Sequence, residues 1–392
     1  MEWKEVTLGE ISSKIGDGLH GTPKYDDEGP YYFINGNNLN CGKIIIKDDT
    51  KRVGEDEFVK NQKELNEQTI LVSINGTIGN VAKYNNELCI LGKSACYINV
   101  IKEVDKEFIY YVLTSANFKR NITNEATGTT IKNVSLKQMR EYKFNIPCNI
   151  SDQRCIASIL SSLDQKIELN NKINADLEEM AQAIFKNWFV DFEPFKDGEF
   201  VDSELGMIPE GWKVGGLFDI AEIFDKKRKP LSGNVREKMD KIYPYYGATS
   251  CMDYVDDYIF DGIYTLIGED GSVVKENGLP YMQYVWGKMW VNNHAHILQG
   301  KNGYSTEMIH ALLSITNIKF LVTGAVQAKL SQGNMQKILV AIPPKNVLDE
   351  IRPVIDNLYS KIRINTDENS RLSLLRDTLL PRLMSGELEV PE

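Results

Sequence analysis

Six residues of this 392-residue chain recur at one constant distance. Thr127, Gly128, Ser135, Met139, Ile146 and Pro147 reappear as Thr323, Gly324, Ser331, Met335, Ile342 and Pro343, each 196 positions later. Upstream, Trp3, Lys4, Leu8 and Ile11 match Trp212, Lys213, Leu217 and Ile220 at an offset of 209. Downstream, Lys166, Ile167, Asn170, Asn174 and Leu177 match Lys361, Ile362, Asn365, Asn369 and Leu372 at 195. A unit of about half the chain, far longer than a solenoid repeat, is therefore present twice. The insertions and deletions fall between its matched ends. Such a chain is expected to fold with approximate two-fold symmetry and to engage something that itself has two sites.

Each copy begins with a β-rich block. Residues 1–150 contain short β-branched runs, for example Ile44-Ile45-Ile46 and Thr69-Ile70-Leu71-Val72-Ser73-Ile74, punctuated by turns such as Asn75-Gly76. This pattern predicts short strands and one helix near 105–118. Residues 212–344 repeat it, with Tyr264-Thr265-Leu266-Ile267 ahead of Asp270-Gly271.

Residues 151–190 and 345–392 have another character. Leu160, Leu163, Ile167, Asn170, Asn174, Leu177, Ala181, Ile184 and Trp188 are spaced by alternating steps of 3 and 4. The second copy runs Ile355, Leu358, Ile362, Asn365, Asn369, Leu372, Arg376, Leu379 and Leu383. That spacing is a coiled-coil seam, and a helix of about 36 residues is roughly 54 Å long. Neither helix can bury its stripe alone. The expected fold is therefore α+β, with two β-rich domains separated by two long antiparallel coiled-coil helices. Asn170, Asn174, Asn365 and Asn369 lie near the middle of the two seams. In an antiparallel pair middle meets middle, so the four amides are expected to face one another and fix the register at some cost in stability. The intervening residues 191–211 mix acidic side chains with Pro194, Gly198, Gly206 and Pro209 and read as a linker.

Composition limits the possible partners. The formal charge of −10 argues against a chain that wraps nucleic acid unaided. Local basic faces remain open, at Lys226-Lys227-Arg228-Lys229 and around Lys43, Lys47, Lys51 and Arg52. No apolar run approaches the ~20 residues needed to span a membrane, and the N-terminal residues lack the pattern of a secretion signal. A cytoplasmic protein is expected. Cysteines 41, 89, 96, 148, 155 and 251 show no metal-ligand spacing and read as buried thiols.

The chain carries no recognisable catalytic motif. Gly92-Lys93-Ser94 has the end of a phosphate-binding loop, but the first glycine of that loop is replaced by Glu87. His294-Ala295-His296 places two imidazoles on one strand face without an apparent third metal ligand. Asp191-Phe192-Glu193 is a carboxylate pair within the linker. Recognition, rather than catalysis or cofactor binding, is the expected function.

At its motifs the chain resembles the specificity (S) subunits of type I restriction-modification systems. Gly16-Asp17-Gly18-Leu19-His20-Gly21-Thr22-Pro23-Lys24-Tyr25 and the run from Ser73 through Asn75-Gly76-Thr77 to Ala82 are similar to motifs of the first target-recognition domain. Asn292-Asn293-His294-Ala295-His296 is similar to one of the second, which gives the histidine pair a reading without metal. Thr127-Gly128-Thr129-Thr130-Ile131-Lys132-Asn133 and Ile208-Pro209-Glu210-Gly211-Trp212 are also typical. The resemblance implies a non-catalytic subunit whose two domains each read half of a split, asymmetric sequence in double-stranded DNA. It further implies two methyltransferase (M) subunits, which use S-adenosylmethionine to methylate adenine N6. Two restriction (R) subunits would use ATP and Mg for translocation and cleavage.

A rigid helix pair of this length is compatible with holding two readers about one DNA turn apart, roughly 34–36 Å. Amide, hydroxyl and basic side chains on glycine-rich loops are suited to phosphate and base-edge contacts. The candidate DNA-binding residues are His20, Thr22, Lys24, Tyr25, Asn35, Asn37, Asn75, Thr77, Thr129 and Lys132 in residues 1–150. In residues 212–344 they are Lys227, Arg228, Lys229, Thr249, Ser250, Ser272, Gln327 and Lys329. Two other classes remain open: a tandem adaptor for carbohydrate or protein, favoured by exposed aromatics in both modules, and a methyltransferase or nuclease fused to a recognition module.

Overall fold

The computed structural model describes residues 1–127, 132–324 and 327–390. The chain divides into two compact units, Met1–Glu168 with Glu368–Glu392, and Leu169–Asp367. Both boundaries fall within long helices, Ile150–Phe189 and Lys345–Met384. Each unit therefore holds one β-rich block and a portion of both helices.

In the first unit, Trp3–Thr7 pairs antiparallel with Lys143–Pro147, closing the ends of the block. Between them lies a four-stranded antiparallel sheet in the order Ser12–Asp17, Ala95–Val100, Thr69–Ser73, Val81–Lys83. Ile70, Val72, Ile98, Phe108, Ile109 and Phe118 form its core, joined by Ile156 and Leu160 of the first long helix and Leu383 of the second. The helix expected near 105–118 is two helices, Lys106–Thr114 and Ala116–Glu125. Ser115 makes the break: it leaves helical geometry, and its hydroxyl accepts from Phe118 N to cap the following helix.

In the second unit, Lys213–Gly216 pairs with Leu339–Ile342. Lys213 faces Ile342 as Lys4 faces Ile146, so the repeated ends pair in the same register. The sheet is larger here. Six strands run in the order Ala221–Ile223, Ala295–Gly300, Phe260–Gly268, Met282–Val291, Tyr243–Tyr246, Cys251–Val255.

Residues 191–211 are more ordered than a linker reading suggests. Phe200–Val201 and Ile208–Pro209 form a small hairpin. Phe189, Phe192 and Phe195 surround Trp212 at ring distances of 5.2–5.8 Å. The Gly and Pro residues mark turns, while the aromatics anchor the segment.

Within each unit the long helices run antiparallel. In the first, Arg376 Nη1 donates to Asp164 Oδ1 at 2.7 Å, while Leu160 and Leu383 share one core. In the second, Leu177, Ala181 and Phe185 pack into the same core as Ile355, Tyr359 and Ile362. There Asn365 Nδ2 donates to Asn174 Oδ1 at 2.8 Å, and both Asn170 and Asn365 are 1% exposed.

Only Cys89 and Cys96 are fully buried; Cys41, Cys148 and Cys251 are exposed, which corrects the expectation of buried thiols throughout. The two buried cysteines lie on sheet strands facing the core, whereas the exposed ones lie in turns or at an edge. Burial pushes the Cys89 thiol up to about 12. Among the described residues, no helix is long and apolar enough to cross a membrane.

Candidate nucleic-acid interface

Each unit gathers several loops at one edge of its main sheet. In the first unit the strand ending at Ser73 runs into Asn75-Gly76, where Gly76 adopts φ +74°. This turn clasps a second loop: Gly76 N donates to Lys132 O at 3.1 Å, Asn75 Nδ2 to Asn133 Oδ1 at 3.2 Å, and Val134 N to Ile74 O at 2.8 Å. Thr127 and Asn133 close that loop on itself with paired backbone bonds.

The second unit makes the same clasp from other residues. Gly271, also at φ +74°, donates to Ala328 O at 2.9 Å, and Leu330 N donates to Glu269 O at 2.8 Å. Thr323 and Lys329 close its loop, 196 positions after Thr127 and Asn133. Residues 325 and 326, and Thr129 in the first unit, lie outside the described residues.

Further segments join each clasp. In the first unit Ile74 N donates to Ser94 O at 3.0 Å, and Ser94 Oγ donates to Asn35 Oδ1 at 3.0 Å. Gly92 permits this approach, since a Cβ there would lie 2.1 Å from Asn35 Oδ1. Leu19 N donates to Leu91 O at 2.7 Å, which brings in the loop carrying His20. His20 Nε2 lies 2.7 Å from Asp17 Oδ2. The turn carrying Asn75 and Thr77 thus meets the segment carrying Lys132, and His20, Asn35 and Asn37 are linked to it through residues 91–94. Asn35 is half-buried and spends its amide on Ser94, whereas Asn37, Thr77 and Lys132 are exposed. Thr22, Lys24 and Tyr25 are exposed along the loop beyond His20, with the Tyr25 ring against Phe33.

Sequence reasoning passed over Lys93. It is exposed on the segment that links three of these loops, and it lies in the run resembling a phosphate-binding loop.

In the second unit Glu269 N donates to His294 O at 2.8 Å, and Asn292 N donates to Tyr246 O at 3.0 Å. The second bond brings in the hairpin turn carrying Thr249 and Ser250, both exposed. Ser272, Gln327 and Lys329 are exposed beside the clasp. The basic run divides. Lys226, Lys227 and Lys229 are exposed, with the Lys227 ammonium over the Phe224 ring at 5.0 Å. The Arg228 side chain is 12% exposed and turns inward, its Nη1 donating to Glu269 Oε2 at 2.7 Å and to Ala295 O at 2.8 Å.

Beneath these loops His296 Nδ1 lies 2.5 Å from Asp225 Oδ2, and Gln332 Nε2 donates to the same oxygen at 2.6 Å. Burial pushes the Asp225 carboxyl up, but the His296 bond and charge, Arg228 and Gln332 outweigh it and hold the carboxyl below its ordinary value. The two imidazoles of the histidine motif do not share a site: ligand atoms of Asp225 and Glu269, from elsewhere in the chain, lie with that of His296 within 4.8 Å of one another. The Arg228 guanidinium already provides the positive charge these carboxylates require. His294 is not part of the cluster; its Nδ1 faces Asp270 Oδ1 at 2.5 Å.

The chain is similar to known proteins over nearly its whole length. The family model for the type I restriction modification DNA specificity domain matches residues 1–179 and again 209–374. The MjaIX specificity subunit of a type I restriction enzyme from Methanocaldococcus jannaschii is 27% identical, over 95% of this chain and 87% of its own length. The HindI specificity subunit from Haemophilus influenzae is 23% identical over 99% of this chain and all of its own. Among solved structures, the type I S subunit from M. genitalium superposes with a TM-score of 0.58 at 20% identity, covering 98% of this chain and 96% of that one. The chain belongs to this family and is a specificity subunit of a type I restriction-modification system, a DNA-recognition component that is itself non-catalytic.

Proposed function

We propose that the two units each read one half of a bipartite, asymmetric sequence in double-stranded DNA. The observation that carries this reading is the clasp built twice: Asn75-Gly76 on residues 132–134, and Asp270-Gly271 on residues 328–330, with the same backbone bonds and different side chains. A repeated frame with divergent exposed residues suits two readers of unlike sequences. His20, Thr22, Lys24, Tyr25, Asn37, Thr77, Thr129 and Lys132 would contact the first half-site, joined by Lys93. Lys227, Lys229, Thr249, Ser250, Ser272, Gln327 and Lys329 would contact the second. Asn35, Asn75 and Arg228 hold loops in place beneath them.

On this reading residues 1–150 and 212–344 are the target-recognition domains, and residues 151–190 and 345–392 form a spacer that scaffolds two M and two R subunits in the cytoplasm. S-adenosylmethionine, ATP and Mg would belong to those partners. Asn170, Asn174, Asn365 and Asn369 would set the register of the spacer, a role supported by the Asn174–Asn365 bond. Mapping methylated adenines in host DNA tests the whole reading. Replacing residues 1–150 with those of a relative should change one half-site and leave the other and the spacing intact. A change in both halves, or in neither, refutes it.

A further inference from the structure

We infer that Asp225, Arg228, Glu269 and His296 form a buried charge network that positions the recognition loops of the second unit, with His296 as its positioning residue. The inference rests on reading that edge as a DNA reader.

His296 is 1% exposed. Its Nδ1 faces Asp225 Oδ2 at 2.5 Å and Glu269 Oε2 at 3.7 Å, and its Nε2 faces Leu330 O at 2.7 Å. All three neighbours are acceptors, so the ring is satisfied by donating from both nitrogens, and a ring that does so is an imidazolium. Arg228 balances the second carboxylate, and Lys329 approaches the other oxygen of Glu269 at 3.7 Å. Ile297 N and Gln332 Nε2 complete the acceptor capacity of Asp225. The network contains two cations and two anions and leaves no charge uncompensated, the condition under which buried ions are tolerated.

Its members come from separate segments. Asp225 and Arg228 lie in the run carrying Lys227 and Lys229; Glu269 lies ahead of Ser272, and His296 follows His294. Leu330 directly follows Lys329. One imidazole thus ties together the segments that hold most of the proposed second-half contacts. The first unit holds its corresponding loops with neutral bonds among Asn35, Ser94, Asn75 and Asn133, so a change at His296 should act on one half-site only.

The test uses the full chain assembled with its methyltransferase subunits and DNA duplexes in which the first or second half-site is scrambled. His296→Gln should lose about tenfold or more of its discrimination at the second half-site, the scale of a lost base contact, while discrimination at the first is unchanged. Gln332→Leu, which removes one donor and keeps the ring, should lose less. In nitrogen NMR of the wild-type chain, which has four histidines, the His296 ring should carry a proton on both nitrogens in the binding buffer. That measurement does not depend on the variant folding. Equal losses at both half-sites, unchanged discrimination at the second, or a singly protonated ring overturns the inference. A wild-type complex that discriminates at neither half-site would instead overturn the DNA reading on which it rests.

Discussion

The clasps of the two units have one backbone design and two chemistries. In the first, amides and a hydroxyl join the loops, through Asn75 with Asn133 and Ser94 with Asn35. In the second, charges do so, through Arg228 with Glu269 and His296 with Asp225. Neutral amides leave the neighbouring lysines, Lys93 and Lys132, free of structural duties among the described contacts. The charged version commits an arginine to the interior and leaves exposed lysines to face a ligand. The same contrast recurs where each block meets a long helix. Tyr111 and Arg376 meet Asp164 in the first unit, with the ion pair about one-third exposed. Arg363 meets Glu307 in the second, where Glu307 is 8% exposed and shares its oxygen with Tyr284. The second unit concentrates buried charge, and the first avoids it.

That contrast can be broken most forcefully at the helix junctions. Glu307→Ala strands Arg363 in a desolvated site and should destabilise the second unit by about 3–5 kcal/mol. Asp164→Ala, at a more hydrated pair, should cost the first unit about 1 kcal/mol. Hydrogen exchange resolves the two units, and equal costs would erase the distinction.

Acid provides a second test. His310 packs between Tyr284 and Tyr359, and burial lowers its pKa to about 4. The native ring therefore resists a proton that the unfolded chain accepts at its ordinary 6.5. The contribution of His310 to the stability of the second unit is complete above that value and falls as pH drops toward 4, by up to about 3 kcal/mol. Between about pH 6.5 and 5, before carboxylates titrate, His310→Phe should flatten the loss, which thermal melts at each pH would detect.

A smaller effect is expected within the helix pair. Replacing both Asn174 and Asn365 with Leu removes a polar pair from a largely apolar seam and should raise stability by about 1–2 kcal/mol. The gain should come with loosened spacing between methylated adenines; unaltered spacing would remove the amides from the register role. The smallest effect belongs to single lysines. Lys93→Ala and Lys329→Ala should each weaken binding across sequences and reduce the salt slope by about one. Lys329 also approaches Glu269, so its variant should further lower discrimination at the second half-site, whereas Lys93→Ala should affect affinity alone.

Much of the frame was legible because it is periodic. The 3-and-4 spacing marked both long helices, and the repeated Ser135 and Ser331 fall at matching places in the fold, where their hydroxyls accept from Gln138 N and Asn334 N to cap short helices. The break at Ser115 was less visible, since Phe118 and Ile122 continue the apolar spacing across it and only a capping hydroxyl interrupts the helix. The inward turn of Arg228 could not be read from a run of four basic residues. It depends on Glu269, which lies 41 positions away. The histidine motif concealed its partner for the same reason, because Asp225 precedes His296 by 71 residues. Local pattern reveals elements and caps; buried polar networks depend on which distant loops meet.

The division of the chain also has a consequence for how the protein is made. Leu169–Asp367 is one continuous stretch, so every residue of the second unit has been synthesised before residue 368 is added. The first unit begins at Met1, yet its core includes Leu383, and Leu388 and Val390 pack against it. Domains generally fold as units while synthesis proceeds. Here the order is inverted: the core of the half translated first is completed by Leu383, Leu388 and Val390, which are added only after every residue of the second unit.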